Sequence, residues 1–188
     1  MEQKETHKYL NGFAKYVIQQ SKSNLTKGKK NSSKELYNSL NTEINVSANS
    51  FSLSFEMEDY GVFQDKGVKG ADPSKVSPNA KITGQQAPNS PYRFGSGNYR
   101  GTWKNFTKSL EGWVKSKNLR LRDSKGRYSK GNVKSIAQIV ASNIYARGIK
   151  PSLFFTKPFE KAFEKLPDEL VEAYGLDVEN FMEFTLNK

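Results

Sequence analysis

The chain has 188 residues, room for one ordinary domain, with 35% apolar residues, 26% charged residues and a net charge of +11 from 30 Lys and Arg against 19 Asp and Glu. Twelve Phe, nine Tyr and two Trp at a mean hydropathy of −0.76 point to a folded chain with a modest core, not a disordered polycation. The absence of Cys excludes disulfides, thiolate nucleophiles and Cys-based zinc, and a single His, His7, excludes His-paired metal sites and leaves little basis for a Ser-His-Asp triad.

No apolar run reaches the roughly 18 residues that a membrane span needs. No basic-then-apolar leader precedes a small-residue cleavage site, so secretion is not expected.

Leu10, Phe13, Ala14, Val17, Ser21 and Leu25 form one stripe at helical spacing, which predicts a long amphipathic helix over residues 5–26. Gly28 is expected as its left-handed cap, and the lysines around it suit the negative helix end. Ser32 with Glu35 reads as a capping box for a short second helix carrying Leu36, Tyr37 and Leu40. The period then changes to two. Ile44, Val46 and Ala48, a turn at Asn49-Ser50, and Phe51, Leu53, Phe55 and Met57 predict a β-hairpin with one buried face.

Residues 65–101 show no usable periodicity and hold Pro73, Pro78, Pro88 and Pro91 among several glycines, so a long extended loop or arm is expected there. Trp103, Phe106, Leu110, Trp113 and Val114 share the face of a further helix whose other side carries Lys104, Lys108 and Lys115. A basic turn from Arg120 to Gly131, with a hairpin tip around Gly126, leads to a helix with Val133, Ile136, Ala137, Val140 and Ile144, closed by Gly148. Lys157–Leu166 reads as helical, followed by a turn from Pro167 to Gly175. For 177–186 two readings stay open: a helix burying Val178, Phe181 and Met182, or a strand aligning Met182, Phe184 and Leu186. Trp103, Trp113, Phe155, Phe159 and Phe163 are expected in the core. The fold class is α+β: a small antiparallel hairpin sheet packed by several amphipathic helices. One domain is expected over 1–188, with the arm at 65–101, an inserted basic helical segment at 102–148, and no hinge between separate cores.

The charge is unevenly distributed. Residues 1–103 carry net +5, 104–134 net +8, 135–159 net +3 and 160–188 net −5. A basic centre suits nucleic-acid phosphates, and a basic centre with an acidic end suits association with further copies of the chain.

Enzyme chemistry finds little purchase. Gly95-Ser-Gly97-Asn-Tyr-Arg-Gly101 lacks both the G-x-G-x-x-G spacing and the Gly-Lys-Ser/Thr ending of phosphate loops. Glu56, Glu58, Asp59 and Asp65 with Lys66 imitate a metal-dependent nuclease set, but the hairpin alternation puts Glu56 and Glu58 on the solvent face, an ordinary place for carboxylates. No catalytic residue, metal ligand or cofactor is assigned. The basic turn, with Tyr128 inside it, fits sequence-independent phosphate contact and base stacking.

Leu36-Tyr-Asn-Ser-Leu40 enters the hairpin, Tyr60-Gly-Val-Phe-Gln-Asp65-Lys-Gly67 stands before the loop, and Lys150-Pro-Ser-Leu-Phe-Phe-Thr-Lys-Pro-Phe159-Glu-Lys-Ala162-Phe forms the ending. In these motifs, over about half its length, the chain resembles the tail-completion (neck, head-to-tail joining) proteins of tailed bacteriophages, with Val68 where that pattern has Thr. The resemblance implies a non-enzymatic structural protein of the virion, assembled in the host cytoplasm as a homo-oligomeric ring between portal and tail around the DNA channel. On this reading Tyr60, Gly61, Phe63, Asp65 and Gly67 anchor the arm at its base. Arg120, Arg122, Lys125, Arg127 and Lys130 face DNA or an acidic neighbour, and Glu164, Asp168, Glu169 and Glu172 provide the complementary acidic surface. The expected partners are copies of the chain, portal or adjacent neck and tail proteins, and non-specific packaged DNA. The alternative is a DNA-binding accessory protein using residues 104–134.

Overall fold

The structure, a computed structural model, describes residues 3–30, 33–47, 50–77, 80–97, 101–122, 125–128 and 131–186. In chain order its elements are α1 (Lys4–Lys27), α2 (Glu35–Ser39), β1 (Asn41–Ser47), β2 (Ser50–Glu56), α3 (Tyr60–Lys66), β3 (Val68–Lys69), a 3-10 turn (Pro73–Lys75), α4 (Trp103–Ser116), α5 (Val133–Arg147), β4 (Gly148–Ile149), α6 (Thr156–Phe163) and α7 (Leu166–Leu186). The α+β class is as expected. The single core is not: the chain separates into two compact units, Met1–Gly61 with Leu153–Lys188, and the intervening Val62–Ser152. Each has its own apolar cluster.

In the first unit α1 buries Leu10, Phe13, Ala14, Val17, Ser21 and Leu25, the whole predicted stripe. Leu25, Leu36, Leu40 and Phe154 form the centre of this core, edged by Ile18, Tyr37, Met57 and Phe155. β1 and β2 pair antiparallel from Asn41↔Glu56 to Ser47↔Ser50. Exposed and half-buried residues alternate along β1. Ile44, Val46, Leu53 and Phe55 are among the partly covered ones, apolar side chains on one face as the period of two requires. Phe55 meets Phe13, Phe155 and Phe159 edge-on, at ring centroid distances of 6.3, 5.2 and 5.8 Å. Ser50 belongs to β2 and not to the turn; Ala48 and Asn49 lie outside the described residues, as does Ser32 of the expected capping box.

Several expectations are corrected in this unit. Gly28 keeps right-handed helical geometry (φ −74°), and Lys29 takes the left-handed position (φ 53°). Lys30 N–H then reaches the Leu25 carbonyl (2.9 Å) and Lys29 N–H the Thr26 carbonyl (3.0 Å), which is a Schellman end displaced by one residue. Phe163 is about half exposed, and Phe154 is the fully buried ring of the C-terminal motif. The predicted turn ending at Gly175 is absent: α7 runs unbroken through Gly175, which settles 177–186 as helix. Along it Val178 is half-buried, while Phe181 and Met182 are exposed.

In the second unit α4 and α5 form an antiparallel pair held by Val114, Ile136 and Ala137, with Leu110, Leu121, Val133 and Val140 around them. Thr102 and Asn132 cap the two helices by accepting from the backbone N–H groups of Asn105 and Lys134. Trp103 and Trp113 are substantially exposed, contrary to their expected place in the core. Trp103 lies edge-on to Tyr145 at 5.9 Å.

The expected extended arm is largely a folded-back layer. β3 pairs antiparallel with β4 (Val68↔Ile149), and Lys69 also bridges to Arg93 in parallel. Ala71 and Asp72 donate to the carbonyls of Tyr145 and Ala146, and Gln86 to that of Arg147. The residues after β3 thereby satisfy the carbonyls at the end of α5 that an isolated helix would leave unpaired. This closeness depends on two glycines. A Cβ on Gly70 would stand 2.0 Å from the Ala146 oxygen, and one on Gly148 (φ 93°) 2.1 Å from the Val68 oxygen.

Candidate functional site

Tyr60-Gly-Val-Phe-Gln-Asp65-Lys folds as helix α3, where the sequence suggested the base of a loop. Gly61 is buried because Met57 and Leu36 pack where a Cβ would stand, 2.7 Å from Met57 Sδ. Tyr60 remains partly exposed, and burial pushes its phenol above the ordinary range. Phe63 sits edge-on to Tyr92 at 4.8 Å. Asp65 is buried, and Gly67 ends the helix in the left-handed region (φ 72°), its carbonyl accepting from the Ser90 hydroxyl at 2.8 Å. Tyr60 and Gly61 therefore end the first stretch of the first unit, and Phe63, Asp65 and Gly67, on the rest of the helix and at its end, lie where the chain enters the second unit.

The same place receives the returning chain. The Gln64 carbonyl accepts from both the N–H (3.2 Å) and the hydroxyl (2.6 Å) of Ser152, and the Asp65 carbonyl accepts from the Ser152 N–H at 3.1 Å. The second unit is closed on itself at its own two ends.

The basic turn does form a hairpin tip, with Arg122 and Tyr128 bridged across Gly126 (φ 76°). Arg122 is largely consumed by that tip. One guanidinium nitrogen donates to the Gly126 carbonyl (3.0 Å), the other to the Tyr128 hydroxyl (3.0 Å), and its carbon lies 4.5 Å from the ring centroid. Arg120 approaches the same ring at 5.8 Å. Tyr128 is 63% exposed, and Arg120, Lys125 and Arg127 are exposed around it. Lys130 lies outside the described residues.

The four acidic candidates are exposed but do not act as one group. Glu164 follows α6 as its C-cap. Asp168 and Glu172 stand one turn apart on the outer side of α7. Glu169 is turned to α1, where it accepts from the Tyr9 hydroxyl. Burial, and after it the Glu169 carboxylate, push the Tyr9 phenol far above its ordinary value.

Sequence reading missed Asp177, which is 2% exposed and accepts from the backbone N–H groups of Glu5 (3.0 Å) and Thr6 (2.9 Å) at the start of α1. Burial would raise its pKa, but these hydrogen bonds outweigh burial and hold the carboxyl below the usual range. It also missed Glu179 and Glu183 on α7, and the partition of charge between the units. Residues 62–152 hold 18 Lys and Arg against 4 Asp and Glu, net +14; the remainder holds 12 against 15, net −3.

Glu56 and Glu58 are exposed, as the alternation predicted, whereas Asp65 is buried. Among the described residues no three His, Asp or Glu side chains come together in a way that would hold a metal ion, and no helix is long and apolar enough to cross a membrane. No family model, curated protein or solved structure matches the chain.

Proposed function

We propose that the protein is a structural, non-enzymatic subunit of a tailed-bacteriophage neck: a tail-completion or connector protein that joins copies of itself into a ring between portal and tail around the DNA channel. The observation that carries this reading is the charge partition, net +14 in residues 62–152 against net −3 elsewhere. Opposite charge on two different units of one chain suits head-to-tail contact between identical subunits, the kind of contact that closes into rings. The Tyr60–Gly67 and Lys150–Phe163 motifs support the choice of family. Substantial exposure of Trp103, Val171, Met182 and Phe184 supports burial completed against neighbours. The reading calls for no cofactor, and its partners are further copies, the portal and adjacent neck or tail proteins.

Native mass spectrometry of the full chain, alone and with portal protein, tests it. A closed oligomer of one copy number that joins portal is the expected result. A chain that stays monomeric at every concentration and never joins portal overturns it.

The exposed Tyr128 between Arg120 and Arg122 favours a second reading, sequence-independent DNA binding by residues 104–134 in an accessory protein. Duplex affinity measured across salt concentration tests that reading, since phosphate contacts must weaken steeply as salt rises.

A further inference from the structure

Helix α7 carries its exposed charge and its exposed apolar side chains on two neighbouring stripes. At about 100° per residue, Asp168, Glu172, Glu179 and Glu183, spaced i, i+4, i+11 and i+15, fall in one narrow band. Val171, Tyr174, Phe181 and Met182 fall in the band beside it, and Val171 and Met182 are 73% and 56% exposed. The acidic band lies away from Ala173 and Asp177, the buried side, and the apolar band runs between the two, with Tyr174 and Phe181 one turn from Asp177.

Helix α4 carries the matching pattern in the opposite sign. Lys104, Lys108 and Lys115, spaced i, i+4 and i+11, are all exposed, on the side of the helix away from buried Val114. Trp103, 46% exposed, is not part of that band: it lies about 100° round the helix from Lys104, in line with Leu110 and Val114. The acidic spacing reads the same in both directions, so it accepts the lysines with the helices antiparallel. In that register Lys104 meets Glu183, Lys108 meets Glu179 and Lys115 meets Glu172. Asp168 then falls opposite the segment just beyond α4, where Arg120 follows.

We infer that α7 of one copy docks on α4 of a second copy in this antiparallel register, the charges paired along the two helices. The inference rests on the ring reading above and supplies its contact. Charge complementarity selects the occupant. The acidic stripe repels nucleic acid and anionic membrane surfaces, and the second unit, at net +14, is the surface of opposite sign that every copy presents.

The test uses full-length chain, nuclease-treated and stripped of nucleic acid at high salt, with association followed by analytical ultracentrifugation and folding by circular dichroism. One variant carries Glu172→Lys, Glu179→Lys and Glu183→Lys; a second carries Lys104→Glu, Lys108→Glu and Lys115→Glu; a third carries all six. Each triple variant is expected to stay folded and to associate at least about a hundredfold more weakly. Mixing the two triple variants restores association, and so does combining all six changes in one chain. If the unaltered chain assembles and neither triple variant weakens it, the contact lies elsewhere and this inference falls while the ring reading stands. If the lysine reversal abolishes duplex DNA binding but leaves assembly intact, α4 serves nucleic acid and the inference falls again. If the unaltered chain never assembles, the inference and the ring reading fall together.

Discussion

Thr6 and Asp177 stand 171 residues apart in sequence and are joined by a 2.9 Å hydrogen bond from the Thr6 backbone N–H to the buried carboxylate. Gln3, the residue before α1, supplies no side-chain cap, so a carboxylate from α7 performs the N-capping that a local Ser or Asp normally performs. A negative charge also suits the positive end of the helix.

Replacing Asp177 by Ala leaves the Glu5 and Thr6 N–H groups unpaired and is expected to cost about 1–3 kcal/mol, read by urea denaturation. The pH dependence has a definite sign. Because the folded pKa lies below the ordinary carboxylate value, the stabilisation is complete above that ordinary value and is lost as pH falls through the folded one. Asp177→Asn should flatten this acid limb of the stability profile. An unchanged limb would remove Asp177 from its cause.

Lys29 holds the left-handed position that glycine usually occupies at a helix end. Lys29→Gly is expected to raise stability by about 0.5–1 kcal/mol. Differential scanning calorimetry should show a rise in Tm of roughly 2 °C. The same change at Lys27, inside α1, should lower it.

The C-terminal phenylalanines divide sharply. Phe154 is 1% exposed at the centre of the first core, so Phe154→Ala should cost about 3–5 kcal/mol. Phe163 stacks on Phe159 but is about half exposed, so Phe163→Ala should cost less than about 1.5 kcal/mol. Equal losses from both variants, measured by chemical denaturation, would contradict this description of the core.

Gly70→Ala places a methyl group against backbone atoms, which no side-chain rotation relieves. The expected cost is about 3 kcal/mol or more within residues 62–152. Hydrogen exchange should show lost protection at Lys69, Ala71 and Asp72, whose amides bond across this contact or beside it. Gly112→Ala, in open space on α4, should stabilise by up to about 1 kcal/mol.

Elements whose burial follows a regular period were legible in the sequence. The α1 stripe was legible down to Ser21, and so was the alternation of Ile44, Val46, Leu53 and Phe55. Residues 68–77 and 80–94 were not, because backbone hydrogen bonds among them and to the end of α5 hold this part of the chain, and such bonds impose no hydrophobic period. Gly61 misled for a related reason: it looks like a loop residue, yet it is needed for close approach to Met57 and Leu36 inside a helix. Gly175 looks like a helix stop, but it lies on the exposed side of α7, where it costs only its intrinsic penalty. The positions of Arg120, Lys125 and Arg127 on a hairpin tip were legible from the glycine within a basic run. Arg122's structural role and Asp177's cap were not, since both depend on partners that only folding supplies.

The double hydrogen bond from Ser152 to the Gln64 carbonyl brings the chain back to its point of departure after 88 residues. From the side of the flanking sequence, this whole excursion is topologically a short turn. Its contents can be shortened, lengthened or replaced while the separation of its two ends stays the same, and loop-closure entropy grows only logarithmically with the length enclosed. A positively charged module can therefore be exchanged at this point as a cassette.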